Sequence, residues 1–165
     1  MKTNRLELRA FQEIDLPEFI GLNANPKVMQ FFPNCLNKQE STALFKHLKQ
    51  KPLMWAVVHL KTQQFIGFIG LNKSEIVAPY LEILWRFDSN FWGNGYATEA
   101  AACVLSYAHP RKVMAFTAVM NTPSQNLMKR LNMRYVKTFL HPKLAQDHSL
   151  APHVLYETFM TSTKL

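Results

Sequence analysis

The stretch Phe91-Trp92-Gly93-Asn94-Gly95-Tyr96-Ala97-Thr98-Glu99-Ala100 decides the reading of this chain. Just before it, residues 80–87 are rich in the aromatic and β-branched side chains that favour a strand. Just after it, Ala97, Ala101, Val104, Leu105 and Ala108 recur at helical spacing until His109-Pro110 closes the run. A strand, a loop with two glycines and a helix are a recurrent physical solution for holding phosphate. Glycines let the backbone approach closely, the first helical N–H groups lack intrahelical acceptors, and the helix dipole favours an anion. The loop would present the amides of residues 93–98, with Gly93, Gly95 and Ala97 keeping the approach clear. A bare Gly-x-Gly is equally compatible with a tight strand-to-helix turn. The two commoner phosphate loops are excluded: no Lys-Ser or Lys-Thr follows the second glycine, and the third glycine of the dinucleotide fingerprint is missing.

Outward from that centre, the remaining pattern is equally regular. Residues 5–9 alternate polar and apolar as a half-buried strand does, and Asp15-Leu16-Pro17 reads as a helix start with Asp15 as cap. Residues 23–32 form a broken stretch around Pro26, anchored by Val28, Met29, Phe31 and Phe32. A helix follows Asn37 and is stopped by Pro52, after which residues 53–60 and 65–71 read as strands about a turn. Residues 113–120 predict a strand and 123–131 a helix ending at Asn132, which fits the left-handed position after a helix. Residues 135–140 and 153–160 predict two last strands. This order indicates a mixed α/β sheet with helices on its faces.

With 165 residues, no repeat and no linker, one domain over residues 1–165 is expected. Hydrophobic residues make up 48% of the chain, enough for a sizeable core. No apolar run is long enough to cross a bilayer and no signal-peptide core precedes the first strand, so a cytoplasmic location is expected. Cys35 and Cys103 have no zinc-like neighbours and read as reduced, structural thiols. The formal net charge of +8 would attract nucleic acid, a phosphate-rich small molecule or an acidic substrate alike. Its scatter along the chain, with no recognisable nucleic-acid motif, argues against the first.

The segment at residues 91–100 closely resembles the coenzyme-A pyrophosphate loop of the GNAT acetyltransferase superfamily, and within it the branch that includes the ribosomal-protein N-terminal acetyltransferases RimJ and RimL. The superfamily pattern is Gln/Arg-x-x-Gly-x-Gly/Ala; here Trp92, Gly95 and Ala97 occupy its defining positions. Other motifs follow in family order: Arg5-Leu6-Glu7-Leu8-Arg9 with Asp15, Asn25-Pro26-Lys27-Val28-Met29, Phe65-Ile66-Gly67-Phe68-Ile69-Gly70-Leu71, and Asn121-Thr122-Pro123-Ser124 with Leu127, Met128, Lys129 and Leu131. The resemblance implies a GNAT fold, a mixed and mostly antiparallel twisted sheet of about seven strands flanked by about four helices.

The resemblance also implies a chemistry. The activity would be transfer of an acetyl group from acetyl-CoA, as cosubstrate and without a metal, to a primary amine of a protein N-terminus or small molecule, by direct attack in a ternary complex. The backbone of Trp85, Arg86 and Phe87 would pair with the pantetheine arm. The loop of Trp92, Gly93, Asn94, Gly95, Tyr96, Ala97 and Thr98 would hold the pyrophosphate. Asn121 would steady the pantetheine through its side-chain amide, and Lys129 would meet the 3′-phosphate. Glu82 falls where several members hold the general base; its plain alternatives are an outward-facing strand glutamate or a partner for a nearby arginine. Ser124 is the candidate acid for the leaving thiolate, since the usual tyrosine position is Met128; its plain alternative is a first-turn serine bonded to a backbone N–H. That missing tyrosine is the support for the alternative function, a catalytically silent CoA-binding sensor or scaffold. Dimers are frequent in the family, so a homodimer is compatible with it.

Several features lie outside this machinery. His141, His148 and His153 are not at zinc-like spacing and read as lining the acceptor pocket or capping the last hairpin. Trp55, Phe68, Tyr80 and Trp85 read as core or as acyl-tunnel wall. Met114, Met120, Met128 and Met133 read as core packing.

Overall fold

In the computed structural model, residues 1–147 and 149–158 are described; His148 and the last two residues of the final expected strand lie outside them. The elements run β1 (Leu6–Arg9), α1 (Leu16–Ala24), α2 (Pro26–Met29), α3 (Lys38–Lys49), β2 (Met54–His59), β3 (Phe65–Lys73), β4 (Leu81–Phe87), α4 (Tyr96–Ala108), β5 (Val113–Ala118), α5 (Thr122–Arg130), β6 (Arg134–Leu140) and β7 (Pro152–Glu157). One seven-stranded sheet has the order β1-β2-β3-β4-β5-β7-β6. Every adjacent pair is antiparallel except β4 and β5, which run parallel. The expected mixed sheet with about four flanking helices is therefore present, with α2 as an extra single turn.

The parallel pair positions the site. β4 and β5 are in register only at Leu81–Val113 and Glu82–Met114. Beyond those two rungs β5 keeps pairing with β7 and β4 with β3, so the middle of the sheet opens between residues 83–87 and 115–118.

Each face of the sheet buries its own cluster because successive strand side chains alternate. On one face Ile83, Phe87, Val113 and Ala115 pack under Ala100, Ala101 and Val104 of α4 and Leu127 and Met128 of α5. On the other, Ala56, Phe65 and Phe68 meet Phe19 and Leu22 of α1 and Phe45 and Leu48 of α3. Phe11, Phe19 and Phe45 form edge-to-face pairs with centroids 5.3–6.0 Å apart. A smaller cluster of Val77, Met114 and Leu155, flanked by Phe116 and Phe139, lies beneath the β5–β7–β6 end.

Local chemistry explains the boundaries and corrects some expectations. Asn37 caps α3 through a reciprocal capping box with Glu40. Asp15 does not cap α1. Its buried carboxylate turns back to accept the Gln12 amide at 2.8 Å and to pair with Arg9 at 2.7 Å, tying β1 to the helix entry. Asn132 does take the left-handed conformation, with φ of 57°. Met114, Met128 and Met133 are core, but Met120 is 62% exposed and is not. Tyr80 is likewise exposed, whereas Phe68 is buried and Trp55 and Trp85 pack at the edge of the α4 core. Cys35 is an exposed free thiol with no structural role in packing, and Cys103 is half-buried on α4. Among the described residues no helix is long and apolar enough to cross a membrane.

Candidate functional site

The open flank of β4 is the first component. An antiparallel ladder sends alternate residues' N–H and C=O groups to opposite neighbours. The Asp88 amide donates to the Ile66 carbonyl at 2.9 Å, and the Leu71 amide donates across to Leu53 on the β2 side at 2.8 Å. In the unbroken β3–β4 register this directs Glu82, Leu84 and Arg86 toward β3, and Ile83, Trp85 and Phe87 toward the opening. The expectation for three consecutive backbones is corrected accordingly: Arg86 spends its main-chain groups on β3, leaving Trp85 and Phe87 at the gap. The Phe87 carbonyl there already accepts the Trp92 indole N–H at 2.9 Å, so Trp92 is a brace between strand and loop.

The loop follows directly. Gly93 and Gly95 have φ of +80° and +79°, conformations that glycine adopts without strain, and a side chain at Gly93 would meet nothing within 4 Å. Gly95 is the N-cap of α4 and carries no capping side chain. The Glu99 amide is the first to find an acceptor, the Gly95 carbonyl at 3.0 Å. Among the described residues the amides of 93–98 have none, so Gly93, Asn94, Gly95, Tyr96, Ala97 and Thr98 present a run of donors at the positive end of a 13-residue helix. The Asn94 side chain closes the turn onto the Phe91 and Trp92 carbonyls. Arg5 bonds the Asn94 carbonyl at 2.9 Å, pairs with Glu99 at 2.7 Å and lies over the Tyr96 ring. Arg5 was not among the expected site residues; the signal was a cation starting the first strand, which has meaning only once β1 is placed beside α4.

Across the opening, α5 begins at Asn121. Its Oδ1 accepts the Ser124 amide at 3.2 Å and its Nδ2 donates to Thr117 at 2.9 Å, so the side chain expected to face a ligand first serves as helix cap. Ser124 is half-buried and its hydroxyl has no protein partner among the described residues. Met128 is 1% exposed, packed in the α4 core. Lys129 is exposed in the last turn.

The reverse face holds the titratable groups. Glu82 is half-buried there, and burial pushes its carboxyl up to about 7 against an opposing hydrogen bond with Ser74. Sharing its face of β4 with the apolar Leu84, it is a carboxyl whose charged form burial disfavours. Arg86 shares that face: its Nη1 donates to the Asn23 Oδ1, and its guanidinium lies 4.3 Å from the Phe32 ring centroid. Burial lowers it to about 10. On the β5–β7 side, His141 and His153 have centroids 4.9 Å apart and lie against Phe116. Burial lowers both, with the neighbouring His153 and Lys143 charges adding to the effect on His141. His141 also caps the turn at Pro142–Leu144. Among the described residues no three ligating groups converge on a metal position. A surface cavity of about 790 Å³ opens between Pro33 of the α2–α3 segment and residues 142–147 and Ser149 of the β6–β7 segment.

The comparisons with known proteins bear on the family and the fold. The acetyltransferase (GNAT) domain family matches residues 5–134. The Bacillus subtilis (strain 168) N-acetyltransferase YnaD, itself uncharacterised, is 28% identical over 138 residues, covering 80% of this chain and 81% of its own length. A GNAT-family acetyltransferase structure from Bacillus anthracis superposes with a TM-score of 0.86 at 21% identity, covering 97% of this chain and 98% of the other. The spermidine N-acetyltransferase of Vibrio cholerae, solved with CoA and spermine, superposes at 0.76 with 17% identity, covering 94% and 96%.

Proposed function

Because the chain belongs to the GNAT acetyltransferase family, and is thereby an acetyl-CoA-dependent acyltransferase, we propose that it acetylates a primary amine by direct attack with both substrates bound in one domain. The observation that carries this reading is continuity. The unpaired flank of β4 at Trp85 runs straight into the partnerless amides of residues 93–98, so an extended chain ending in a pyrophosphate has a hydrogen-bonding track along its whole length. The open space at Gly93 and the bare N-cap at Gly95 fit such a ligand.

Acetyl-CoA supplies the thioester, whose C–S bond breaks as the amine nitrogen bonds to the acetyl carbon. The chain's residues supply the rest. Trp85 and the Phe87 N–H align the arm, and the amides of 93–98 hold the pyrophosphate. Glu82 takes the proton from the attacking amine, directly or through a water, on the face opposite the cofactor track. Ser124 sits on the cofactor side with a hydroxyl free to give the leaving thiolate its proton. Asn121 shapes that corner by fixing the start of α5. The acceptor enters from the Glu82 face, between the α2–α3 and β6–β7 segments. The fold is shared both with RimL, a ribosomal L7/L12 α-N-protein acetyltransferase, and with a spermidine N-acetyltransferase, so a peptide N-terminus and a small amine are the two acceptor types to compare.

Thermal unfolding with acetyl-CoA, CoA and ATP, followed by a thiol-release assay over an amine panel, tests the reading. Both CoA species should raise the midpoint with concentration, and ATP should not. Thiol release should then depend on the amine. No midpoint shift at saturating CoA would overturn the reading.

A further inference from the structure

Arg86 stands apart from the other arginines. Arg5, Arg9 and Arg134 each pair with a carboxylate, and Arg111 and Arg130 are exposed. Arg86 is half-buried, and no carboxylate among the described residues pairs with it. Its Nη1 is taken by Asn23, and the Phe32 and Phe68 rings lie 4.3 and 5.5 Å from its Cζ. The Nε–H is buried without a partner, and Nη2 has none among the described residues. Nε and Nη2 form one edge of the guanidinium, the side-on fork that matches the two oxygens of a carboxylate. Asn23 and the two rings thus hold the group in place while leaving its carboxylate-binding edge unused. A buried cation without a counter-ion is costly to keep, which makes a purely structural tie a poor account of it.

Its position is also telling. Arg86 is four residues from Glu82 on the same face of β4, about 13 Å along the strand at roughly 3.3 Å per residue. Both side chains look toward the acceptor side of the sheet, away from the cofactor track. We propose that Arg86 is the acceptor-specificity residue and binds a carboxylate of the acceptor, so that the preferred acceptors are acidic, peptide-like amines rather than polyamines. This deepens the acetyltransferase reading and rests on it. The span favours a carboxylate several bonds from the reacting amine, as in a peptide with an acidic second residue, over the adjacent carboxylate of a free α-amino acid.

The test uses two amidated dipeptides that differ by one carboxylate, Ala-Glu-NH2 and Ala-Gln-NH2, with spermidine as the polycationic reference. In the unaltered protein kcat/KM should favour Ala-Glu-NH2 over its neutral twin by at least about tenfold. Arg86→Gln should level the pair by raising KM for the acidic member. Arg86→Lys, which keeps the charge and loses the fork, should retain only part of the preference. Binding of the N-acetylated dipeptides to protein with and without CoA, read as a midpoint shift, gives the same comparison without turnover. Equal response to both dipeptides, or a preference that survives in Arg86→Gln, overturns the proposal while leaving the CoA-dependent shift, and thus the acetyltransferase reading, intact. Loss of the CoA shift in the unaltered protein is a separate result that sinks the reading itself.

Discussion

The two faces of β4 are built by different means. On the α4 side, the proposed cofactor site is made of main chain: two glycines at positive φ, a run of partnerless amides at a helix end, and a strand flank left unpaired by the splay from β5. On the opposite face the proposed acceptor site is made of side chains: a carboxyl at Glu82, a guanidinium at Arg86 against the Phe32 ring, and the ring group of Phe116, His141 and His153. A backbone site tolerates changes of most side chains because its donors belong to every residue. A side-chain site changes with each substitution. One scaffold can therefore keep its cofactor while altering its acceptor.

The largest break in this contrast should come from the backbone itself. Gly95→Trp places a bulky residue at φ +79°, a left-handed conformation that costs a non-glycine residue about 1–2 kcal/mol, and its Cβ would already stand 3.5 Å from Arg5. The CoA-dependent midpoint shift should vanish, with activity falling at least about 1,000-fold, as expected when the ligand-holding step is lost. A retained shift would mean that the loop does not hold the pyrophosphate. Second comes Glu82→Gln, on the other face. Loss of a positioned base lowers rates by about 10²–10⁴, and the CoA shift should survive. With burial pushing the carboxyl up to about 7, kcat/KM in the unaltered protein should show a rising limb through 7, below the further rise as the acceptor amine loses its proton, and the limb near 7 should disappear in Glu82→Gln. The same raised value carries a stability sign. A carboxyl that holds its proton more tightly when folded destabilises the native state as pH rises from its ordinary value toward 7. Glu82→Gln should therefore unfold at a higher temperature than the parent at pH 8 and show little gain at pH 4.5.

This contrast also explains what could be read before the structure. The glycine loop, the strand ahead of it and the alanine-lined helix behind it were legible because backbone constraints leave a residue signature: only glycine is at ease at the φ of Gly93 and Gly95. Asn132 was legible for the same reason. The acceptor face was not. Arg86 drew notice only as one of three neighbours on a strand, and the ladder's alternation, visible only with register in hand, gave its backbone to β3 and its side chain to Asn23 and Phe32. Asp15 misled because aspartate before proline is a helix-cap signature, while the stronger partner, Arg9, lay six residues back and became adjacent only after β1 turned. Met120 misled because methionine carries no period of its own in a short strand end.

Side chains on the cofactor side should matter in proportion to how far they fix the backbone. Asn121→Ala removes the α5 cap, which costs about 1 kcal/mol of stability, and it also frees Thr117. Ser124→Ala leaves the cap intact, because Asn121 bonds the Ser124 amide rather than its hydroxyl. The two therefore separate structure from chemistry. Asn121→Ala should lower the midpoint and weaken CoA modestly, whereas Ser124→Ala should leave both unchanged and reduce kcat by about 10²-fold, the low end of the range for a proton-transfer group. Unchanged kcat in Ser124→Ala would remove it as the acid and leave water to protonate the thiolate.

The smallest effect sharpens the contrast most. Lys129 is exposed in the last turn of α5, so any pairing with the 3′-phosphate is made in water and screened by salt. Exposed ion pairs are worth about 0.2–1 kcal/mol, so Lys129→Gln should weaken CoA binding by no more than about fivefold. The control is dephospho-CoA, which lacks the 3′-phosphate. If Lys129 meets that phosphate, Lys129→Gln should bind CoA and dephospho-CoA alike, and the parent's modest preference for CoA should fade as salt is raised. If the substitution weakens both ligands equally, Lys129 acts only through the general positive field of a +8 chain. A loss much larger than fivefold would contradict the contrast itself. It would mean that a side chain, and not the amides of residues 93–98, carries most of the affinity on the cofactor face.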